Sequence, residues 1–265
     1  MDAKLKHFSE TLSAHQDKYI LIGGNACGLV FENKGQEFRQ TQDLDIVLVI
    51  EEFTEDFAKD LWAYLDAGDY RGKKFHQNGT SGNVYRFTIP DDSETLDTYP
   101  KQIELFSRKP DDVDLFEKEH RTPIETAEGI SNFSAILVDD DYYSYLRESI
   151  ISIDTVNTVH HMCLMVLKVK AWIGNKELFA QEKIKEGDVY KHPFDICRLL
   201  ALYDDEEDGA QQVVGRIYDD LMTVVEMFKS SEEQKLLEVN RGGQELPTAY
   251  SDAADMLSQI FEVKE

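Results

Sequence analysis

The chain has 265 residues, a formal net charge of −24 and 42% hydrophobic residues. This length suits one large domain or two ordinary ones, with enough residues to bury a substantial core. No apolar run approaches the roughly 18 residues of a membrane span, so we expect no membrane partner. The acidic charge argues against a nonspecific nucleic-acid coat protein, because such binding depends on neutralising phosphates. It leaves a local basic groove open, and acidic surfaces often serve only solubility.

The N-terminal segment and the cysteines indicate a cytoplasmic protein. Residues 4–16 have the apolar spacing of an amphipathic helix and lack the apolar core of a signal peptide. The three cysteines, Cys27, Cys163 and Cys197, lack the spacing of metal ligands, which favours reduced thiols. We therefore expect a cytoplasmic location.

Residues 19–50 predict a strand, a glycine turn, a short helix and a second strand. The apolar run at 19–22 ends at Gly23 and Gly24, which punctuate it sharply. Residues 25–31 then have the apolar spacing of a helical turn and a half. We expect the rest of the chain to be organised around this stretch.

Two aspartates mark the second of these strands. Asp43 and Asp45 alternate with apolar residues. Because strand side chains repeat every second residue, both carboxylates project from one face, with Cα atoms roughly 7 Å apart. This spacing suits two carboxylates that share one divalent ion or bracket a pair of ions.

The remainder of the first half predicts a further helix and more strands. Residues 54–66 have the apolar face of an amphipathic helix. Residues 101–107 alternate as a strand that carries Glu104 between two apolar residues. Residues 133–138 and 142–149 predict a two-stranded hairpin around an acidic turn.

After residue 152 the pattern becomes helical. The predicted fold class is therefore α/β, or α+β: a mixed sheet with flanking helices in residues 1–152, followed by a helical domain in residues 153–265. The acidic run at 204–208 is expected to form an exposed loop. Helical patterns occupy residues 156–172, 194–203, 211–229 and 250–263.

Three features of the first domain together predict a phosphate and metal site. The turn at Gly23 and Gly24 opens a helix, whose free N–H groups and positive end suit a phosphate. Asp43 and Asp45 can hold Mg²⁺, and Glu104 on a further strand completes the carboxylate set. Each feature alone is more often a tight turn or a surface acid, so the hypothesis depends on their combination.

The same residues resemble a known family. The sequence GGNA at 23–26, followed by R-x-T-x-D-L-D at 39–45, is similar to the nucleotidyltransferase superfamily. More narrowly, it resembles the AbiEii-type nucleotidyltransferases, the toxins of type IV toxin–antitoxin systems. The likeness covers residues 19–200 and includes a basic motif at 191–196. At His192 the chain departs from that motif, whose second position is acidic.

For the first domain, the resemblance implies a nucleotide site. The glycine pair and Asn25 would hold the β- and γ-phosphates of a nucleoside triphosphate. Asp43 and Asp45 would bind Mg²⁺ or Mn²⁺. Glu104 would be the third carboxylate, sharing the metal or accepting a proton from the attacking hydroxyl.

For the second domain, the resemblance implies that Lys168 and Asp195 contribute to nucleotide binding. Lys168 would lie on the helical wall of a cleft and neutralise triphosphate charge, with Lys170 as the alternative. Asp195 would orient Lys168 or Lys191 rather than bind metal. The competing interpretation of Lys168 is a surface lysine whose aliphatic stem packs on apolar neighbours.

Two adjacent histidines are assigned no ligand role. His160 and His161 fall within the helix predicted over residues 156–172. Neighbouring positions on a helix face different directions, so the two side chains are not expected to share a metal.

The functional hypothesis is an Mg²⁺-dependent nucleotidyltransferase that transfers NMP to a hydroxyl acceptor. For a toxin of this type, the resemblance implies an RNA acceptor such as a tRNA 3′ end, and a cognate antitoxin protein. Two alternatives stay open. The same fold could modify a protein or a small molecule such as an aminoglycoside, or it could be a non-catalytic nucleotide-binding module.

Overall fold

The protein has the predicted α+β fold, with a mixed sheet and flanking helices. The chain divides into two compact units, Met1–His160 and His161–Glu265. The sheet belongs to the first unit, and helices dominate the second. The computed structural model describes residues 1–72, 76–77, 80–81, 85–108, 121–123 and 134–264.

Side chains cap helices of the first unit. The Asp2 carboxylate accepts the backbone N–H of Lys4, and the Thr54 hydroxyl accepts that of Phe57, which satisfies donors that the helix leaves open. The helices are α1 (Ala3–Thr11), α2 (Gly23–Asn33), α3 (Glu55–Ala67) and α4 (Asp140–Glu148). The strands are β1 (Tyr19–Ile22), β2 (Asp43–Leu48), β3 (Arg71–Gly72), β4 (His76–Gln77), β5 (Thr80–Ser81), β6 (Arg86–Thr88), β7 (Gln102–Ser107), β8 (Arg121–Pro123), β9 (Ser134–Leu137), β10 (Ile150–Ile153) and β11 (Val156–Val159).

The main sheet runs in the order β1–β2–β7–β6–β3, and β9 pairs with both β7 and β8. Strand β2 is antiparallel to β1 and parallel to β7. Every residue of β1 is buried, which explains why that strand is apolar without alternation. Strands β2 and β7 do alternate, and they bury Leu44, Ile46, Ile103 and Leu105 on one face. The opposite face carries the acidic residues.

The hairpin predicted for residues 133–149 is wrong in its second arm. Strand β9 forms, but the next element is helix α4; residue 133 lies outside the described residues. The Asp139 carboxylate accepts the backbone N–H of Asp141 at 3.1 Å and caps that helix. Tyr142 and Leu146, four residues apart, are both buried on its inner face. Helical capping and spacing therefore outweigh the β propensity of the tyrosines.

A second hairpin replaces the start of the long helix predicted at 156–172. Strands β10 and β11 pair antiparallel around Asp154 and Thr155, which adopt positive φ values of 47° and 75°. The helix begins only at His161. The domain boundary predicted near residue 152 falls inside this hairpin, whereas the first compact unit ends at His160.

The second unit is built around buried aromatic and aliphatic side chains. Trp172 contacts Phe228 at a ring distance of 5.1 Å, and Phe228 stacks on Tyr250 at 5.7 Å. Such pairs add to the burial of large apolar surfaces. The helices are α5 (His161–Ala180), α6 (Glu186–Leu200), α7 (Gly215–Lys229), α8 (Ser231–Asn240) and α9 (Tyr250–Ile260).

Two short strands interrupt the helical pattern of this unit. The helical patterns at 211–229 and 250–263 predict helix for residues 211–213 and 261–263, but these residues form β12 (Gln211–Val213) and β13 (Phe261–Val263). The two strands pair in parallel, so each satisfies the backbone groups of the other. No helix among the described residues is long and apolar enough to cross a bilayer.

Candidate functional site

The acidic face of the sheet lies where β2 and β7 run side by side. Asp43 pairs with Gln102 and Asp45 pairs with Glu104 in the register of these parallel strands. Residues paired across neighbouring strands point to the same face, with Cα atoms about 4.8 Å apart. The structure therefore brings Asp43, Asp45 and Glu104 together on one face, as the alternation of each strand predicts.

Gly23 lies directly against the Asp45 carboxylate. A Cβ atom added to Gly23 would come within 2.0 Å of Asp45 Oδ2, and the residue has a positive φ of 72°. Only glycine adopts that conformation at low cost, and only glycine leaves room for the carboxylate. The predicted glycine turn and the predicted aspartate pair are thus in contact.

The rest of the turn is fixed to the strand by neighbouring contacts. The side-chain amide of Asn25 donates a hydrogen bond of 2.7 Å to the backbone carbonyl of Asp43. A Cβ atom on Gly24 would lie 2.8 Å from the methyl carbon of Thr41, so this glycine is also required by close packing. Helix α2 begins without a side-chain cap on its first N–H groups. Such a helix start is a suitable anion site.

A cavity of about 760 Å³ opens beside this turn. Its lining includes Gly24, Asn25, Arg39 and Thr41, which are residues of the two motifs identified in the sequence. A space of this size accommodates an ordinary small-molecule ligand. Asp43, Asp45 and Glu104 all lie outside the lining, so the cavity and the acidic face are separate features, and the cavity touches the turn at Gly24 and Asn25.

Glu104 is held by two side chains on its own face. Arg86, its register partner on β6, places Nε 2.5 Å from Glu104 Oε1, and the Gln102 amide donates to the same oxygen at 2.9 Å. The Glu104 side chain is only 12% exposed. These contacts orient the carboxylate, and the guanidinium competes with a metal ion for that oxygen.

The acidic face offers carboxylate oxygens, which are the type of ligand that a magnesium ion prefers. Mg²⁺ prefers oxygen ligands and is commonly held by one or two carboxylates together with waters and substrate phosphates. Asp43 and Asp45 are half-buried, so part of each residue stays open to solvent. In the described part of the chain, the three carboxylates do not close to within 4.8 Å of one another. Two aspartates, with Glu104 nearby, are therefore the fitting metal ligands.

In the second unit, Lys168 and Asp195 form a buried ion pair. Lys168 Nζ lies 3.1 Å from Asp195 Oδ2, and the side chains are 8% and 0% exposed. Arg198 also approaches Asp195, at 3.5 Å. Asp195 therefore orients Lys168 rather than Lys191, which pairs with Asp188 on the surface.

Two further residues of this unit have identified partners. The fallback lysine, Lys170, pairs with Asp220 at 2.7 Å and is 38% exposed. His192, at the position where the family motif is acidic, lies 3.1 Å from the side-chain amide of Asn175. The nucleotide-binding roles of Lys168 and Asp195, with Lys170 as the alternative to Lys168, stay predictions.

Burial makes one thiol of this unit unreactive. Cys197 follows Asp195 by two positions on α6 and is fully buried. Burial raises the pKa of the Cys197 thiol to about 12, against a smaller opposing effect of the Arg198 charge. All three cysteines are buried, as expected for reduced structural thiols.

Sequence reasoning missed one buried pair of polar side chains, a histidine and an aspartate. His160 precedes helix α5 and does not belong to it, so the argument that two helical neighbours diverge does not apply. In the second unit, His161 Nε2 lies 3.1 Å from Asp208 Oδ2, and both side chains are buried, at 1% and 2% exposure. The sequence did contain a signal for this contact, because Gly209 follows Asp208 and predicts a turn at the end of the acidic run.

Comparison with known proteins adds little to this description. No family model matches the chain, and no curated protein matches it. Among solved structures, the chain is similar to the crystal structure of JHP933 from Helicobacter pylori. The identity is 12% and the TM-score 0.44, covering 97% of this chain and 88% of that one. At this score the likeness carries no argument, so a functional proposal depends on the site residues themselves.

Proposed function

We propose that the chain is an Mg²⁺-dependent nucleotidyltransferase, which transfers NMP from a nucleoside triphosphate to a hydroxyl acceptor. One observation carries the proposal: Gly23 packs against Asp45, and Asp45 is in register with Glu104. A turn that suits phosphate and carboxylates that suit a divalent cation are thereby side by side. Phosphoryl transfer requires this combination of positioning and charge neutralisation.

Each part of the site would have a distinct task. The first N–H groups of α2 would receive the phosphates, since the glycine pair lets the ligand approach the backbone closely. Asp43 and Asp45 would hold Mg²⁺, which when bound neutralises charge on the phosphates and the leaving pyrophosphate. Glu104, oriented by Arg86 and Gln102, would accept the proton of the attacking hydroxyl.

The direct test is label transfer from each α-labelled NTP, in the presence of Mg²⁺ or Mn²⁺, to total RNA and to cell protein. We expect Asp45→Asn to reduce transfer by roughly a hundredfold or more, because a bound ion stabilises the transition state by several kcal/mol. Asp91→Asn is the matched control, since the Asp91 side chain is 98% exposed in the same unit. It should retain wild-type transfer.

Two results would contradict catalysis at this site. One is the absence of label transfer from every NTP. The other is an Asp45→Asn variant that transfers as well as the wild type. Calorimetry then distinguishes a binding module, which would bind NTP with Mg²⁺ and transfer nothing.

The acceptor divides the proposal into two candidates. Similarity of the glycine and aspartate motifs to AbiEii-type toxins favours an RNA or tRNA end, with an antitoxin protein as partner. The net charge of −24 favours a protein or a small molecule, because RNA binding gains from positive charge. Treating the labelled product with ribonuclease or protease separates these candidates. A product that resists both treatments identifies a small-molecule acceptor.

A further inference from the structure

Charged side chains of both signs lie on the polar face of the main sheet, within the first unit. Arg86 on β6 is the register partner of Glu104 on β7, which is in turn the partner of Asp45 on β2. Because residues paired across neighbouring strands point to the same face, this row carries two carboxylates and then a guanidinium. At a strand spacing of about 4.8 Å, the Cα atoms of Arg86 and Asp45 lie roughly 10 Å apart.

A second arginine lies on the neighbouring row of the same face. This row begins with Asp43 on β2 and Gln102 on β7, which are partners in the register. It continues through Thr88 on β6 to Arg71 on the edge strand β3, and Arg71 is exposed. The polar face therefore changes sign across the sheet, from acids on β2 and β7 to arginines on β6 and β3.

The Arg86 guanidinium is placed to bind a further partner. Its Nε atom is turned towards Glu104 Oε1 at 2.5 Å, and the side chain is 36% exposed. Its central carbon lies 5.9 Å from the centre of the Tyr85 ring. Within the described ranges, the terminal nitrogens donate no hydrogen bond, so their N–H groups are available to a ligand. Arginine presents these donors in a planar fork that matches the oxygens of a phosphate.

The charge balance of the face also favours a cation at this place. Asp43, Asp45 and Glu104 repel a phosphate group, and a single divalent ion cancels only two of their three negative charges. Arg86 offsets the remaining charge, so a phosphate beside the ion no longer meets a net negative site. Arginine is suited to this task because its guanidinium stays protonated and forms paired, charge-assisted hydrogen bonds.

We propose that Arg86 binds a phosphate group on the basic side of this face, with Arg71 as a weaker second contact. This role rests on the proposed transfer reaction, and it adds a substrate-binding residue to the carboxylates and the glycine turn. The phosphate belongs either to the nucleoside triphosphate or to a phosphate-bearing acceptor, since both present the same oxygens to the arginine.

Metal affinity separates this role from a purely structural one. In a calorimetric titration of the full chain with Mn²⁺ alone, Arg86→Gln should bind about threefold to tenfold more tightly than wild type, because a nearby positive charge is removed. If Arg86 only orients Glu104, its loss should instead weaken Mn²⁺ binding or leave it unchanged. Arg86→Lys should bind Mn²⁺ as wild type does, since it keeps the charge.

Phosphate affinity should change in the opposite direction. Calorimetry with ATP and Mg²⁺ measures the first source of phosphate, and fluorescence anisotropy of a labelled single-stranded RNA with Mg²⁺ measures the second. Arg86→Gln should weaken binding of at least one of these ligands by about tenfold. Arg86→Lys should weaken the same ligand, since an ammonium lacks the planar fork. Arg71→Gln should weaken it by only about twofold, because Arg71 is exposed at the sheet edge.

Arg147→Gln is the matched control for these variants. Arg147 lies in the last turn of α4, in the same unit, where its charge acts on Glu51. This variant should change none of the three affinities.

Two sets of results distinguish failure of this role from failure of the transfer site. A folded Arg86→Gln that binds Mn²⁺ no more tightly, or that binds both ATP and the RNA as wild type does, would overturn the role of Arg86. If Asp45→Asn still loses Mn²⁺ binding in that case, the proposed transfer site stands. Wild type that binds neither Mn²⁺ nor ATP would contradict both proposals.

Discussion

The two units use their charged residues in opposite ways. In the first unit, Asp43 and Asp45 are half-buried on the acidic face of a sheet. In the second unit, Lys168 and Asp195 pair out of contact with water, at 8% and 0% exposure. A partly hydrated carboxylate can exchange water for a cation, whereas a buried charge depends on its internal partner. The aspartates are thus placed to bind a ligand, and the buried pair is placed to hold helices α5 and α6 together.

Breaking the buried pair is expected to have the largest effect on stability. Lys168→Met removes one ion-pair partner of the buried Asp195 and keeps Arg198, so we expect a loss of about 3 kcal/mol, at the low end for a broken buried pair. Chemical denaturation monitored by circular dichroism measures this loss. Lys170→Met is the control, because the Lys170 pair with Asp220 is partly exposed and should contribute below about 1 kcal/mol.

Equal stability of the two lysine variants would contradict the difference between a buried and an exposed ion pair. A double variant, Lys168→Met with Asp195→Leu, tests the same difference in a second way. Removing both charges should cost less than removing one, since no buried charge then loses its main partner.

The glycine turn of the first unit is expected to show a smaller but more local effect. Gly23→Ala should destabilise by about 1–3 kcal/mol, because the positive φ is strained for alanine and the new Cβ would displace the Asp45 carboxylate. Label transfer should also fall, since the carboxylate of Asp45, the proposed metal ligand, moves.

Gly28, farther along helix α2, provides the control for the Gly23 substitution. A Cβ on Gly28 meets nothing within 4 Å, so Gly28→Ala should leave stability unchanged or raise it by roughly 0.5–1 kcal/mol. Urea denaturation of both variants measures the difference. Equal stabilities would contradict the strain and the close approach to Asp45 that we infer at Gly23.

Alkaline pH should weaken the second unit by a small, defined amount. Burial raises the pKa of Cys197 from 9.0 to about 12, so the folded thiol stays protonated while the unfolded thiol ionises. The stabilising effect is complete below pH 9 and is lost progressively as the pH rises towards 12. Between about pH 8 and pH 10 we expect wild type to lose about 1 kcal/mol more than Cys197→Ala. Thermal melts at the two pH values test this, and parallel losses would exclude the thiol as the cause.

Prediction from the sequence succeeded where the pattern is local. Alternation along β2 correctly places Asp43 and Asp45 on one face, and the same rule applies to Glu104 on β7. It failed for residues 142–149, because tyrosines favour strands and the decisive signal was the cap at Asp139. It also failed for His160 and His161, where the predicted helix began too early.

The sequence by itself determined which side chains share a strand face and where glycine turns the chain. It also determined the α+β fold class. These features depend on neighbouring residues and on the repeat of two along a strand. Tertiary structure alone decided that Asp45 pairs with Glu104, that Asp195 holds Lys168, and that Asp208 reaches His161 across 47 positions. Such partners are selected by packing between distant segments, and no local periodicity specifies them.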